Sequence, residues 1–190
     1  KREQMILCGS KSVASYDPAN GERHWIIDGP TEQFVASMVY NGKYAFVTGG
    51  FPERHILAIR PEGRGNITKT HIAWRVKKGA SYVPSPVVLG PYFVIVADNG
   101  IASCLKAEDG TRLWMERLGG GHSASAITAN GLAYFVSDRG VTTVLRPGAE
   151  FEVVAKNDLK ELVSGSPAVS QGQIFIRGQK HLYCIGKKSN

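Results

Sequence analysis

Residues 84–118 read PSPVVLGPYFVIVADNGIASCLKAEDGTRLWMERL. The stretch contains four short apolar runs: PSPVVLG (Pro84 to Gly90), YFVIVAD (Tyr92 to Asp98), IASCLKA (Ile101 to Ala107) and RLWMERL (Arg112 to Leu118). Asn99-Gly100 and Asp109-Gly110 stand between the last three. Runs rich in Val, Ile, Leu, Tyr, Phe and Trp that are bounded by such pairs read as antiparallel strands joined by tight turns.

The same plan recurs on both sides. Downstream it reappears as SASAITANG, LAYFVSD, VTTVLRPG and EFEVVAKNDL, and upstream as FVASMVYNG, YAFVTGG, HILAIRP and HIAWRV. An offset of 40 residues brings Asp98 onto Asp138, Gly100 onto Gly140, Leu105 onto Leu145, Lys106 onto Arg146 and Trp114 onto Val154. Gly42, Gly90, Gly131 and Gly172 follow one another at steps of 48, 41 and 41. A period near 40 residues with four strands and no helical pattern predicts an all-β fold, a β-propeller of four-stranded antiparallel blades.

Three blades are complete, over residues 29–78, 79–118 and 119–159. Residues 1–28 (MILCGS, SVASYD, GERHWII) and 160–190 (GSPAVSQG, QIFIRG, HLYCIG) supply three strands each and read as partial blades. Each blade buries its faces only against its neighbours, and closed rings use about 4 to 8 blades. The expectation is therefore a portion of a seven- or eight-bladed ring. Pairing of open blade edges with a second copy is the competing expectation.

Composition agrees with a globular β protein: 43% of the 190 residues are hydrophobic and 22 are glycine. No stretch approaches the ~18 apolar residues of a membrane span. The formal charge is +7, but the basic residues are spread over all the blades, which argues against a nucleic-acid surface. The repeat places Cys104 and Cys184 in one third-strand slot, where other blades carry Ala58 and Val144. Cys8 is assigned to a second-strand slot with Thr48, Ala97 and Ser137. Three buried free thiols are expected, because no pair has metal-ligand spacing and Cys104 and Cys184 are separated by a whole blade.

Trp25, Trp74 and Trp114 recur on the fourth strand, two of them in NGERHW (Asn20 to Trp25) and KAEDGTRLW (Lys106 to Trp114). These strings resemble the tryptophan-docking repeat of the pyrroloquinoline quinone (PQQ)-like propellers, where Ala-x-Asp-x-x-Thr-Gly-x-x-x-Trp recurs blade by blade. The family includes quinoprotein dehydrogenases and BamB-like factors of outer-membrane assembly. The resemblance covers nearly the whole chain. Blade four departs from it, with Val154 aligned to the tryptophan and Pro147-Gly148 in place of the longer turn, so weaker docking is expected there. A Trp repeated at one site can bury on the order of 200 Å² while its N–H meets a carbonyl, which makes it a structural clamp. The recurring Asp-Gly and Asn-Gly turns at positions 20 to 21, 98 to 100, 109 to 110 and 138 to 140, Asp98 and Asp138 included, are read as turn residues.

The resemblance implies two classes of function. A BamB-like module would be a non-catalytic scaffold with protein partners in the periplasm or another bacterial cell-envelope compartment, without cofactor or metal. A quinoprotein oxidoreductase acting on alcohols or sugars would need PQQ and calcium. Calcium takes 6 to 8 oxygen ligands, and the sequence shows neither an acidic cluster for them nor the adjacent cysteine pair common in that class. Recognition of a carbohydrate or other small ligand in the channel is a third reading. No catalytic residues are assigned.

Two segments are candidate partner contacts. PEGRGNITKTH (Pro61 to His71) replaces a short turn in blade two, and insertions into a rigid repeat tend to project from one face; Arg60, Arg64, Lys69 and His71 make it basic. His122, in GGGHSASA, lies in the approach to the innermost strand of blade four and is expected near the channel.

Overall fold

The computed structural model describes residues 2–29 and 31–186. Blade one consists of β1 (Met5–Gly9), β2 (Ser12–Tyr16) and β3 (Arg23–Asp28). Blade two consists of β4 (Val39–Tyr40), β5 (Ala45–Gly49), β6 (His55–Ile59) and, after a two-residue β7 (Gly65–Asn66), β8 (Ile72–Val76). Blade three is β9 (Val87–Leu89), β10 (Tyr92–Val96), β11 (Ile101–Lys106) and β12 (Arg112–Arg117); blade four is β13 (Ile127–Ala129), β14 (Leu132–Val136), β15 (Val141–Arg146) and β16 (Glu152–Asp158). Blade five holds β17 (Ala168–Ser170), β18 (Gln173–Arg177) and β19 (Leu182–Ile185). Blades two to five are antiparallel meanders in chain order, and no helix occurs among the described residues. The short innermost strands β4, β9, β13 and β17 lie beside one another in succession.

Alternation along each strand sends successive side chains to opposite neighbours. Phe93 and Ile95 pack back against Phe46, Ile56 and Trp74 of blade two, while Val94 and Val96 pack forward with Ala133 and Phe135 of blade four. The core is therefore a series of inter-blade layers. Fully burying each Val, Ile, Leu or Phe of such a layer contributes roughly 1.5 to 3 kcal/mol.

One irregularity repeats. Between the third and fourth strands a register shift falls after Ser15, Ala58, Cys104 and Val144, the residues paired with Trp25, Trp74, Trp114 and Ala155. A bulge re-aims the side chain beside it, and here it follows the position from which three indoles reach the next blade. The pairing also corrects the alignment of blade four. Ala155, not Val154, faces Val144 and so occupies the tryptophan slot. Its turn is one residue longer, not shorter: Leu105 pairs with Arg112, whereas the equivalent Leu145 pairs with Val153.

Strand pairing also moves Cys8. It faces Val13, as Thr48 faces Ile56, Val96 faces Ala102 and Val136 faces Thr142. Its slot-mates are thus Val96 and Val136 rather than Ala97 and Ser137. The expected burial of all three thiols holds for Cys104 alone; Cys8 is half-buried and Cys184 is exposed. Cys184 lies on the face of blade five turned away from blade four.

The recurring glycine of the second turn is a steric necessity. Gly100 and Gly140 have φ of +77° and +81°, and an added Cβ would stand 2.2 Å from the Gly120 carbonyl oxygen and 2.0 Å from that of Glu161. These turns accept hydrogen bonds through the same glycines, from the Leu118 and Leu159 amides at 2.9 and 3.1 Å. Turn and connector therefore touch backbone to backbone.

Candidate functional site

Each tryptophan ties its blade to the next by one type of contact. The Nε1–H groups of Trp25, Trp74 and Trp114 donate to the carbonyls of Pro61, Ala107 and Gly148 at 2.9, 3.0 and 3.1 Å. All three acceptors lie in the turn between the third and fourth strands of the following blade. Trp25 donates also to Gln4 Oε1 at 3.0 Å. Phe151, within the longer turn of blade four, packs edge-on to Trp114 with ring centroids 5.1 Å apart.

Asp98 and Asp138 are not mainly turn residues. The Asp98 carboxylate accepts from the Tyr82 and Val83 amides at 2.9 and 3.0 Å, and that of Asp138 accepts from the Ser123 amide at 2.8 Å. Each anchors the connector that leads into its own blade. The turn role belongs to Asn20, Asn99 and Asp109, whose side chains accept from the amide two residues on.

A second recurrent device stands two residues before each innermost strand. Ser85 Oγ accepts from the Ser37 amide at 2.8 Å, Ser125 Oγ from the Ser85 amide at 3.0 Å, and Ser166 Oγ from the Ser125 amide at 2.9 Å. These serines stand at steps of 48, 40 and 41 residues. The period that identified the glycines identifies them too.

The blade-two insertion does not simply project. β7 pairs in parallel with β3 through Trp25–Gly65 and Ile26–Asn66, adding a strand from blade two to the outer edge of blade one. Ile67 is 1% exposed within the blade one–two core. Its amide donates to the Ile26 carbonyl at 2.9 Å, the Asp28 amide donates to Thr68 Oγ1 at 2.8 Å, and Asn66 Nδ2 donates to Asp28 Oδ2 at 2.6 Å. An apolar anchor flanked by two polar ties makes the segment a strap.

Of the candidate contact residues, Arg60, Arg64 and Lys69 are exposed along this strap. None forms an ion pair among the described residues. His71 is half-buried, and its Nδ1 lies 2.7 Å from Thr70 Oγ1. Beside the strap a cleft of ≈ 640 Å³ is lined by Arg2, Gln4, Tyr40, Glu62 and Arg64.

His122 stands elsewhere and is 2% exposed, so its ring is covered rather than presented to the channel. Its amide donates to the Asp98 carbonyl at 3.0 Å, and burial holds its pKa below the ordinary imidazole value. Burial likewise pushes the thiols of Cys8 and Cys104 up to about 11 and about 12, which keeps both protonated at neutral pH. Among the described residues, no three His, Cys, Asp or Glu side chains are grouped to hold a metal.

Repeated four-stranded sheets, inter-blade indole clamps and an inner wall of short strands define a tryptophan-docked β-propeller. Residues 9–190 match the family described as outer membrane protein assembly factor BamB, and the chain belongs to that family. The crystal structure of BamB from Moraxella catarrhalis superposes with a TM-score of 0.62 at 10% identity, covering 92% of this chain and 66% of that one. The chain thus spans just under two thirds of that structure, and a likeness at this identity is one of fold. No curated protein matches the sequence.

Proposed function

We propose that this chain is part of a non-catalytic propeller that binds proteins in the bacterial cell envelope, with the strap over residues 60–71 as a contact surface. The carrying observation is how the side chains are used. The recurring Trp, Asp and Ser residues spend their polar atoms on contacts within and between blades. Arg60, Arg64 and Lys69 instead stand free of ion pairs among the described residues, on a segment fixed by Ile67, so they present charge on a rigid base. Membership in the BamB family supports the envelope location and the scaffold role.

Site-specific photo-crosslinking at Arg64 and Lys69, with Arg146 on blade four as a comparison position, tests this reading in the bacterium that encodes the protein. One recurrent protein adduct, diminished when the other strap cation is reversed to Glu, supports it. The same adducts from Arg146 would show that the strap is not selective. Saturable binding of PQQ in the presence of calcium, near one equivalent, would displace the scaffold reading in favour of an oxidoreductase.

A further inference from the structure

The interface between blades two and three shows what the mouth of an inter-blade layer can hold. Strand pairing puts Gln4 of blade one at the position that Tyr44 has in blade two. The tryptophan acceptors Pro61 and Ala107 in turn make Glu62 the counterpart of Glu108. At the blade two–three mouth the Glu108 carboxylate accepts from Tyr44 Oη at 3.1 Å and from Lys43 Nζ at 2.7 Å. A carboxylate thus closes that layer beside the Trp74 clamp.

At the blade one–two mouth the same place is lined by donors. Gln4 Oε1 accepts from Trp25 Nε1 at 3.0 Å and from Ser15 Oγ at 2.8 Å. Two donors on one atom fix which way the amide points, so Gln4 Nε2 carries the N–H groups, and these meet no acceptor among the described residues. The Arg2 guanidinium donates to the Gly63 carbonyl, which pins it next to the strap residue that precedes Arg64 and leaves most of its N–H groups unused. Arg2, Gln4, Tyr40 and Arg64 all line the cleft of ≈ 640 Å³. Glu62 lines it too, yet forms no ion pair among the described residues. Glu3 stands at the place of Lys43, so the cations here come from Arg2 and Arg64 instead.

We propose that this cleft captures a carboxylate side chain on an extended acidic segment of a protein partner. The guest takes against Gln4 the place that Glu108 takes against Tyr44. The amide of Gln4 and the guanidinium groups of Arg2 and Arg64 supply donors from both blades, and a guanidinium receives a carboxylate through paired N–H bonds. Tyr40 is 57% exposed and donates its hydroxyl to the Gly42 carbonyl at 2.7 Å, which holds its ring as an apolar wall for the rest of the segment. Glu62 sets one acid against the two arginines of the lining, a balance that suits a singly charged carboxylate better than a phosphate. The inference rests on the scaffold reading and gives the partner at the strap its chemistry.

The test is fluorescence anisotropy of the purified chain with a labelled hexapeptide of alternating glutamate and serine, blocked at both ends. Saturable binding at one equivalent is expected, weakening as salt is raised, with no binding of the glutamine–serine counterpart. Gln4→Glu keeps the acceptor for Trp25 and Ser15 but turns the free donor into a carboxylate oxygen, and is expected to weaken binding at least about tenfold. Arg64→Gln is expected to act in the same direction and serves if Gln4→Glu fails to fold, while Arg146→Gln on blade four should bind as the wild type does. No binding of the glutamate peptide, equal binding of its glutamine counterpart, or undiminished binding by the folded Gln4→Glu or Arg64→Gln variants overturns the proposal. Preference for phosphatidylglycerol vesicles over the peptide overturns it in favour of a lipid headgroup. Crosslinked adducts at Lys69 that persist undiminished in Gln4→Glu would also sink this inference, and would leave the scaffold reading standing.

Discussion

Trp74 Nε1 donates to the carbonyl of Ala107 at 3.0 Å, and the six-membered part of the same indole lies against Gly110, where an added Cβ would stand 2.7 Å from the ring. A fourth strand of blade two is thereby locked to one turn of blade three through a hydrogen bond and a face-on contact. The contact needs an indole on one side and a side-chain-free residue on the other.

Replacing Trp74 by Ala is expected to cost about 3 to 5 kcal/mol, as for other buried tryptophans. Trp74→Phe keeps much of the apolar area but leaves the Ala107 carbonyl without its donor, at a cost of about 1 to 3 kcal/mol. Urea unfolding of the two variants separates area from hydrogen bond. Equal losses would mean that the apolar area adds nothing beyond the hydrogen bond, whereas an unchanged Trp74→Phe would mean that the indole N–H contributes nothing.

The strap gives the second prediction. Ile67→Ala is expected to destabilise the chain by about 2 to 5 kcal/mol, whereas a residue in a solvated loop would change stability by no more than about 0.5 kcal/mol. Hydrogen exchange offers a local readout. The Asp28 amide, which donates to Thr68 Oγ1, is expected to lose protection in Ile67→Ala and in Thr68→Val, while the Val94 amide in blade three keeps it.

Much of this architecture is legible in the sequence because turns and strands are local. Asn99-Gly100, Asp109-Gly110 and the apolar runs between them fix the strands of blade three, and the period carries that reading along the chain. Three features were not legible, each for a physical reason. The tryptophan slot of blade four falls at Ala155 rather than Val154 because its turn, one residue longer than that of blade three, breaks a constant offset. The anchoring role of Asp98 leaves no mark in the sequence because its partners, Tyr82 and Val83, lie in a connector without periodicity. The strap resembles a projecting loop in sequence because a parallel pairing of two residues leaves no alternating pattern, although Ile67 amid polar neighbours is the sign of an anchor. The serines at 37, 85, 125 and 166 were available throughout, as a repeat in plain view.

Glycine substitutions distinguish strain from collision. Gly42 has φ of +91° with open space around its Cβ direction, so Gly42→Ala is expected to cost about 1 to 3 kcal/mol from backbone conformation alone. Gly100→Ala adds a collision with the Gly120 carbonyl oxygen, and is expected to cost more than Gly42→Ala by a margin resolvable in denaturant midpoints. Equal effects would show that the turn and connector move apart freely.

Acid is expected to act in two stages. His55 and His122 have pKa values held below the ordinary imidazole value, in each case chiefly by burial. The unfolded chain takes up these protons as pH falls through about 6.5, while the folded chain resists, so stability declines from that point downward. Glu161 acts at lower pH. Its carboxylate accepts from Tyr183 Oη at 2.5 Å, pairs with His181 Nδ1 at 2.8 Å and receives the Lys180 and His181 amides, which together hold its pKa at about 2 against an ordinary 4.5. A depressed carboxylate pKa stabilises the fold above the unfolded value, and that contribution disappears as pH falls from 4.5 towards 2. Unfolding free energies measured from pH 8 to 2 are expected to slope in both windows. Glu161→Gln should flatten the lower window and leave the upper one, whereas His122→Gln should reduce the slope of the upper window alone; a lower window unchanged in Glu161→Gln would remove this carboxylate from the account of acid unfolding.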